Sequence, residues 1–274
     1  METEISFNPM IKMNTEQIRD LAIERHNIDA NHFQKTYKGL NNSLKSKVFL
    51  YGRNMVLEEL ELLLNTIPKG SKILDVGCGT AHLTNWIKEK GFNVYGLEPS
   101  QKMLEHAASN FPEIEIKEGI SSDMPYPENY FDLVVSFEVM RYLDKNENIA
   151  TYKEIYRVLK NKGSFFVTQV NLFSTDFYYI FHNLKSIYCK ITNTLHHHCN
   201  FTTPAMQKKI VEKIGFTDVT TIGRLHGSIR LFYKFGNYVG DAYRSMMAKF
   251  FKQKSNKSFR KLFAGHLIVI GTKR

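Results

Sequence analysis

Three cysteines in 274 residues, Cys78, Cys189 and Cys199, are too few and too scattered for a disulfide framework, so a reducing compartment fits. No uninterrupted apolar run reaches the length of a membrane span. The Met1-Glu2-Thr3-Glu4 start is acidic and lacks an apolar h-region, which speaks against a secretory signal and for a cytoplasmic protein. Repeats and low-complexity segments are also lacking. Acidic residues are missing from one stretch: none follows Asp241, in a chain of formal net charge +10. Arg244, Lys249, Lys252, Lys254, Lys257, Arg260, Lys261, Lys273 and Arg274 therefore stand without acids in their own segment. Such a surface either attracts an anionic partner (nucleic acid, acidic lipid, a phosphorylated small molecule) or is a solvated, solubilising face. Tyr243, Met246, Met247, Phe250 and Phe251 lie beside several of these cations. On a helix this gives one greasy and one basic face, suited to an anionic membrane surface; a lid packed on the protein is the competing reading.

What is present is ordinary for a folded protein: 43% hydrophobic and 23% charged residues, in a chain long enough for a full core plus insertions. The first sixty residues read as helical, with helical apolar spacing over 16–26 and 53–64 and a polar, aromatic-bearing stretch from Asn31 to Tyr37 between them. Beyond Pro68-Lys69-Gly70, strands and helices alternate, the signal for a mainly parallel α/β sheet. Strands are expected at 72–76, 93–97, 115–118, 131–136, 163–170, 218–222 and 266–272. Helices are expected at about 82–90, 101–110, 146–160 and 204–214.

The stretch from Lys72 to Leu83 carries the strongest signal. An apolar run ends in Asp75, Gly77 and Gly79 follow one residue apart, and an amphipathic segment begins at Leu83. This reads as buried strand, tight turn and helix start, the layout that brings backbone N–H groups close to a ligand. A dinucleotide fingerprint would need glycine at position 82, where this chain has His82. The segment Asn93 to Ser100 alternates like a strand and ends on Glu98, about twenty residues beyond the turn. A carboxylate there can accept hydrogen bonds from both ribose hydroxyls.

The turn at Asp75-Val76-Gly77-Cys78-Gly79 with Glu98 strongly resembles the class I S-adenosylmethionine-dependent methyltransferases of the small-molecule type. Ala81 stands where that family usually has a third small residue, often glycine. The resemblance spans about residues 70–170 and includes Asp123 to Ser136, and Ile155 to Gly163 with Lys162 in place of the usual Pro. It implies an α/β, Rossmann-like, mainly parallel seven-stranded sheet flanked by helices, with an antiparallel final strand. It also implies an N-terminal helical cap (1–66), a methyltransferase domain (67–274), and lid insertions at about 171–203 and 227–261.

For S-adenosylmethionine, the resemblance places Asp75, Gly77, Cys78 and Gly79 along the methionine and ribose, and Glu98 on the ribose. It places Ser121 at the adenine, where the family's usual Asp is missing and Ile120 packs against the base. Ser136 and Phe137 lie beneath the methionine moiety, and Arg53 and Tyr37 stand at its carboxylate. Methyl transfer rests mainly on positioning, so no catalytic side chain is assigned. Tyr142, His198 and His226 are the weak candidates, with Tyr142 a poor base at its ordinary pKa. His196-His197-His198-Cys199 lacks the ligand spacing of a zinc site, so no metal is expected. The aromatic insertions suit a greasy or aromatic acceptor, methylated on oxygen before nitrogen or carbon. A nucleic-acid methyltransferase is the alternative. It is disfavoured because Ser136-Phe137-Glu138-Val139 stands where the Asp/Asn-Pro-Pro-aromatic motif would lie. A non-catalytic cofactor-binding relative is the second alternative.

Overall fold

The computed structural model describes residues 13–41, 43–192, 194, 196, 198–224, 229–251 and 261–274, without the side chains at 44, 45, 230 and 248–251. Two long helices come first, α1 (Thr15–Tyr37) and α2 (Leu44–Leu64). Helix α1 runs unbroken through the stretch expected to separate two helices. Asn14 and Gln17 close a capping box at its start, and no Gly or Pro interrupts it before Gly39. Its inner face carries Asn27, Asn31 and Gln34, so apolar periodicity could not reveal it. Likewise α2 starts at Leu44 under a Ser43 cap, which puts Arg53 in mid-helix and corrects its expected place at a helix start.

The sheet follows: β1 (Lys72–Val76), β2 (Asn93–Glu98), β3 (Glu115–Glu118), β4 (Phe131–Ser136), β5 (Leu159–Asn171), β6 (Phe201–Thr202), β7 (Phe216–Arg224) and β8 (His266–Lys273). Helices α3 (His82–Glu89), α4 (Gln101–Asn110), α5 (Lys145–Val158), α6 (Tyr178–Ile191), α7 (Pro204–Ile214), α8 (Ile229–Lys234) and α9 (Asn237–Phe251) connect and cover it. The strand order is β3-β2-β1-β4-β5-β8-β7, with β8 antiparallel to both neighbours. The seven expected strands are all present, and the two-residue β6 makes an eighth. It pairs in parallel with Val170 and Asn171 of β5, beyond Val167, where the pairing with β4 ends. A segment this short has no period to read. Strand β7 starts two residues before the expected Asp218, because a register shift with Asp218 at φ 52° interrupts it.

Alternate residues of the strands enter two separate cores. Leu74, Val134, Phe165, Val167, Leu267 and Val269 pack with Tyr152, Ile155 and Val158 of α5 and Val211 of α7. Ile73, Leu133, Val135, Phe166 and Ile268 pack with Val56, Leu57, Leu60 and Leu64 of α2 and with Leu83 and Ile87 of α3. Strands buried on both faces read as continuous apolar runs, which is why they were legible in the sequence. Among the described residues, no helix is long and apolar enough to cross a membrane.

The basic C-terminal segment departs from expectation where it is described. Arg244 pairs with Asp241 at 3.3 Å, so it does have a local acid. Tyr243 stacks on Phe232 with ring centroids 3.7 Å apart and packs beside the small core of Val48, Ile229 and Tyr233. Tyr243 thus faces the protein. Lys252, Lys254, Lys257 and Arg260 lie outside the described residues.

Candidate active site

Register brings the site together. Val76 stands level with Leu97 on one side and with Ser136 on the other, so the residues that follow β1, β2 and β4 emerge at one edge. That edge, at the carboxyl ends of parallel strands beside the β1/β4 reversal, is where open α/β sheets bind ligands.

The glycine turn is built by backbone bonds. The Gly77 and Cys78 N–H groups donate to the Leu97 carbonyl, at 2.7 and 3.1 Å. Gly77 has φ 73°, and a Cβ there would meet Val139 Cγ2 at 2.2 Å, so no other residue fits this cradle. The Gly79 N–H donates to Glu98 Oε2 at 2.9 Å, and the Ser100 N–H donates to Oε1 at the same distance. Glu98 is therefore oriented before any ligand arrives. Burial pushes its carboxyl up to about 7, against the downward pull of those two donors.

Asp75 is buried too. Its Oδ2 accepts from Thr84 Oγ1 at 2.8 Å, Oδ1 is buried without a partner, and desolvation raises the carboxyl to about 6. The Ser136 hydroxyl is likewise buried and unpartnered. Unsatisfied buried polar atoms need an explanation. Two of them beside a glycine cradle and a pre-oriented carboxylate fit a ligand that presents hydroxyl and ammonium donors. S-adenosylmethionine is such a ligand, and the residues present fit it.

Tyr37 and Arg53 converge on the same edge. The Arg53 guanidinium lies 5.2 Å from the Tyr37 ring centroid, and Arg53 is a neighbouring charge of Asp75. Tyr37 stacks on His82 at 4.9 Å, and burial pushes its phenol up to about 12. His82, the residue that speaks against the dinucleotide fingerprint, thus closes the turn with an aromatic contact. Helix α1 is tied to the rim by the Ser100 hydroxyl, which donates to Asn27 Oδ1 at 2.7 Å, and by Gln34 with Asn110. The Ser121 hydroxyl is shared with Thr151 Oγ1 at 2.8 Å. Phe137 packs against the α2-side core.

A second cluster lies past the end of β4, and sequence reasoning missed it as a unit. Glu138, at φ 63°, is anchored by its N–H donating to Thr168 Oγ1 at 2.7 Å. Its carboxylate receives Arg141 Nη1 at 2.9 Å, and Oε1 lies 3.0 Å from His266 Nδ1. Burial opposes the charge, but His266 and Arg141 hold the Glu138 carboxyl well below the usual carboxylate range. Arg141 also donates to the Tyr178 hydroxyl at 2.7 Å, joining α6 to the cluster. The available signal was topological. An antiparallel last strand must begin at the edge where the parallel strands end, so its first residue, His266, belongs to the site.

Tyr142 is buried edge-on to His26, 4.8 Å between centroids, and burial raises its phenol further. His198 lies in a crevice with Ile18, Arg25 and Tyr142; burial lowers its pKa and leaves Nε2 unpartnered. Neither reaches Glu138 through any hydrogen bond. His226 and His197 lie outside the described residues. Among the described residues no group of three or more His, Cys, Asp or Glu side chains is arranged to hold a metal ion.

Residues 74–167 match the family model described as a methyltransferase domain. An uncharacterized methyltransferase of Synechocystis is 32% identical over 99 residues, 36% of this chain and 47% of that protein. A demethylmenaquinone methyltransferase of Staphylococcus carnosus is 32% identical over 133 residues, 46% of this chain and 52% of that protein. The chain spans about half the length of the curated relatives it matches. Among solved structures, the magnesium protoporphyrin IX methyltransferase of Synechocystis, with bound S-adenosylhomocysteine, superposes with a TM-score of 0.63. It covers 94% of this chain and 100% of its own, and at 13% identity the likeness concerns the fold. Residues 74–167 thus match a methyltransferase domain, within a chain that has the Rossmann-like fold of the S-adenosylmethionine-dependent methyltransferases it superposes on.

Proposed function

We propose that the chain transfers a methyl group from S-adenosylmethionine to an oxygen of a small, apolar acceptor. The observation that carries this reading is the buried Glu98 carboxylate, with both oxygens preset by the Gly79 and Ser100 N–H groups beside the unpaired Asp75 Oδ1. When bound, the sulfonium supplies an electrophilic methyl group. Glu98 accepts from the ribose hydroxyls, Asp75 and Ser136 face the methionine ammonium, and Arg53 with Tyr37 binds the methionine carboxylate. Helices α1 and α2 and the Tyr37–His82 stack exclude water.

Methylating a hydroxyl requires its proton to leave. The Glu138 carboxylate stays ionised with Oε1 3.0 Å from His266 Nδ1, so that Nε2 takes the proton and Glu138 balances the resulting imidazolium. The small, apolar nature of the acceptor is supported by the rings of Tyr142 and Tyr178, which flank the Arg141 guanidinium. It is also supported by the 32% identity to a protein named for demethylmenaquinone. The test is mass spectrometry of a cell extract incubated with the protein and methyl-labelled cofactor. Label entering a small apolar molecule as a methyl ether is the expected result. Label in RNA alone would favour the nucleic-acid alternative, and cofactor binding without any labelled product would favour a non-catalytic protein.

A further inference from the structure

Helix α6 wears its apolar side outward. At roughly 100° per residue, Ile180, Phe181, Leu184, Ile187, Tyr188 and Ile191 share one arc of about 120°. Each is between 51% and 80% exposed. The opposite side holds the helix to the protein. Cys189 is buried there, Tyr178 accepts from Arg141, and the rings of Tyr178 and His182 pack on Phe201. A surface helix ordinarily shows solvent its polar face. A contiguous exposed apolar stripe of this length marks a docking surface.

Charge identifies what docks. Helix α6 contains no acidic residue, and none occurs in the sequence between Asp176 and Glu212. Lys185 borders one edge of the stripe, and Lys190 lies beyond the other, next to Tyr179. We infer that α6 lies flat in the headgroup region of an anionic lipid bilayer, its apolar stripe among the acyl chains and its lysines at the phosphates. At 14 residues the helix is too short to span the hydrocarbon, while a flat helix needs only to sink its apolar face. A second copy of the chain suits the face less well. An antiparallel two-fold pairing would set Lys185, at the middle of the helix, against its own copy, with no acid on the helix to offset it. Tyr178 joins this helix directly to the Glu138–Arg141 cluster, so a docked α6 sets that cluster close to the bilayer surface. The lipid contact stands whether or not methyl transfer takes place.

The experiment is co-sedimentation of the full chain with phosphatidylcholine vesicles, with and without phosphatidylglycerol, at low and high salt. Vesicles containing phosphatidylglycerol should bind the chain, and salt should weaken the binding. Removing Lys185 and Lys190 as Gln should cost about fivefold each on those vesicles and nothing on phosphatidylcholine alone. Leu184→Glu with Ile187→Glu should abolish binding while leaving affinity for S-adenosylmethionine intact, which keeps this result separate from the methyltransferase reading. Phe181→Ser, a milder change on the same face, serves if the double variant does not fold. The inference is overturned by a wild-type chain that stays in the supernatant with both vesicle types. It is equally overturned by vesicle binding that survives the face substitutions, or by a dimer in analytical ultracentrifugation that those substitutions split.

Discussion

Glu98 is a carboxylate whose surroundings oppose its charge until a ligand arrives. Glu98→Ala removes the acceptor for two ribose hydroxyls, and calorimetry should show affinity for S-adenosylmethionine weakened by about 2–4 kcal/mol. Unchanged affinity would remove Glu98 from the site. Its titration gives a second prediction. Burial raises the Glu98 carboxyl from 4.5 to about 7 and the Asp75 carboxyl from 3.8 to about 6. Across those windows the folded chain keeps protons that the unfolded chain has lost. Ligand-free stability therefore falls as pH rises towards 7, then stops falling once both groups are ionised. The cofactor needs the ionised acceptors, so it should stabilise the protein more near pH 7.5 than near pH 5.5. Its affinity should rise by up to about tenfold per pH unit between Asp75's folded value and Glu98's. Thermal melts with and without cofactor check both trends, and an affinity that falls with rising pH would refute the assignment. For His266, replacement by Asn should lower kcat by about a hundredfold or more while cofactor affinity stays level. Wild-type turnover by His266→Asn would show that the acceptor loses its proton elsewhere.

At the level of elements, α1 is a latch on the cofactor rim rather than a contributor to the sheet's cores. Its tie runs through Asn27, which accepts from the Ser100 hydroxyl and from the Lys102 N–H at 3.3 Å. Asn27→Ala should speed cofactor dissociation and raise hydrogen exchange in α1, with little change in melting temperature. Equal protection of α1 in variant and wild type would count against the latch. The elements also show what a sequence can reveal. Strands β1, β4 and β5 were legible because burial on both faces makes them apolar runs, β2 by its alternation up to Glu98, and the glycine turn because its backbone tolerates so few residues. Helix α1 was legible only in its first half, since its inward contacts are Asn, Gln and aromatic side chains. The pairing of Glu138 with His266 spans well over a hundred residues and depends on which strand lies beside which, so no local pattern announces it.

Across the whole molecule, the two N-terminal helices bear unequal loads. Removing residues 1–40 deletes α1 and Tyr37, and the remainder should fold with weakened cofactor binding. Removing residues 1–66 also strips Val56, Leu57, Leu60 and Leu64 from the core. At about 1.5–3 kcal/mol for each buried side chain, that loss approaches a domain's typical stability of about 5–15 kcal/mol. Calorimetry should find one cooperative transition in the shorter deletion and none in the longer; two transitions in the intact chain would instead mark a separable cap. The attachment of the last strand matters on the same scale. Asn171 donates from Nδ2 to the carbonyls of Lys261 and Leu262, at 2.9 and 2.8 Å, and from its N–H to Gly265 at 3.3 Å. This fastens the approach to β8 to the end of β5 through backbone carbonyls, so these ties to His266's strand do not depend on the side chains at 261 and 262. Under the proposed function, substitutions in the described part of the 227–261 insertion would then change which acceptors are methylated while the Glu138–His266 contact stays as it is.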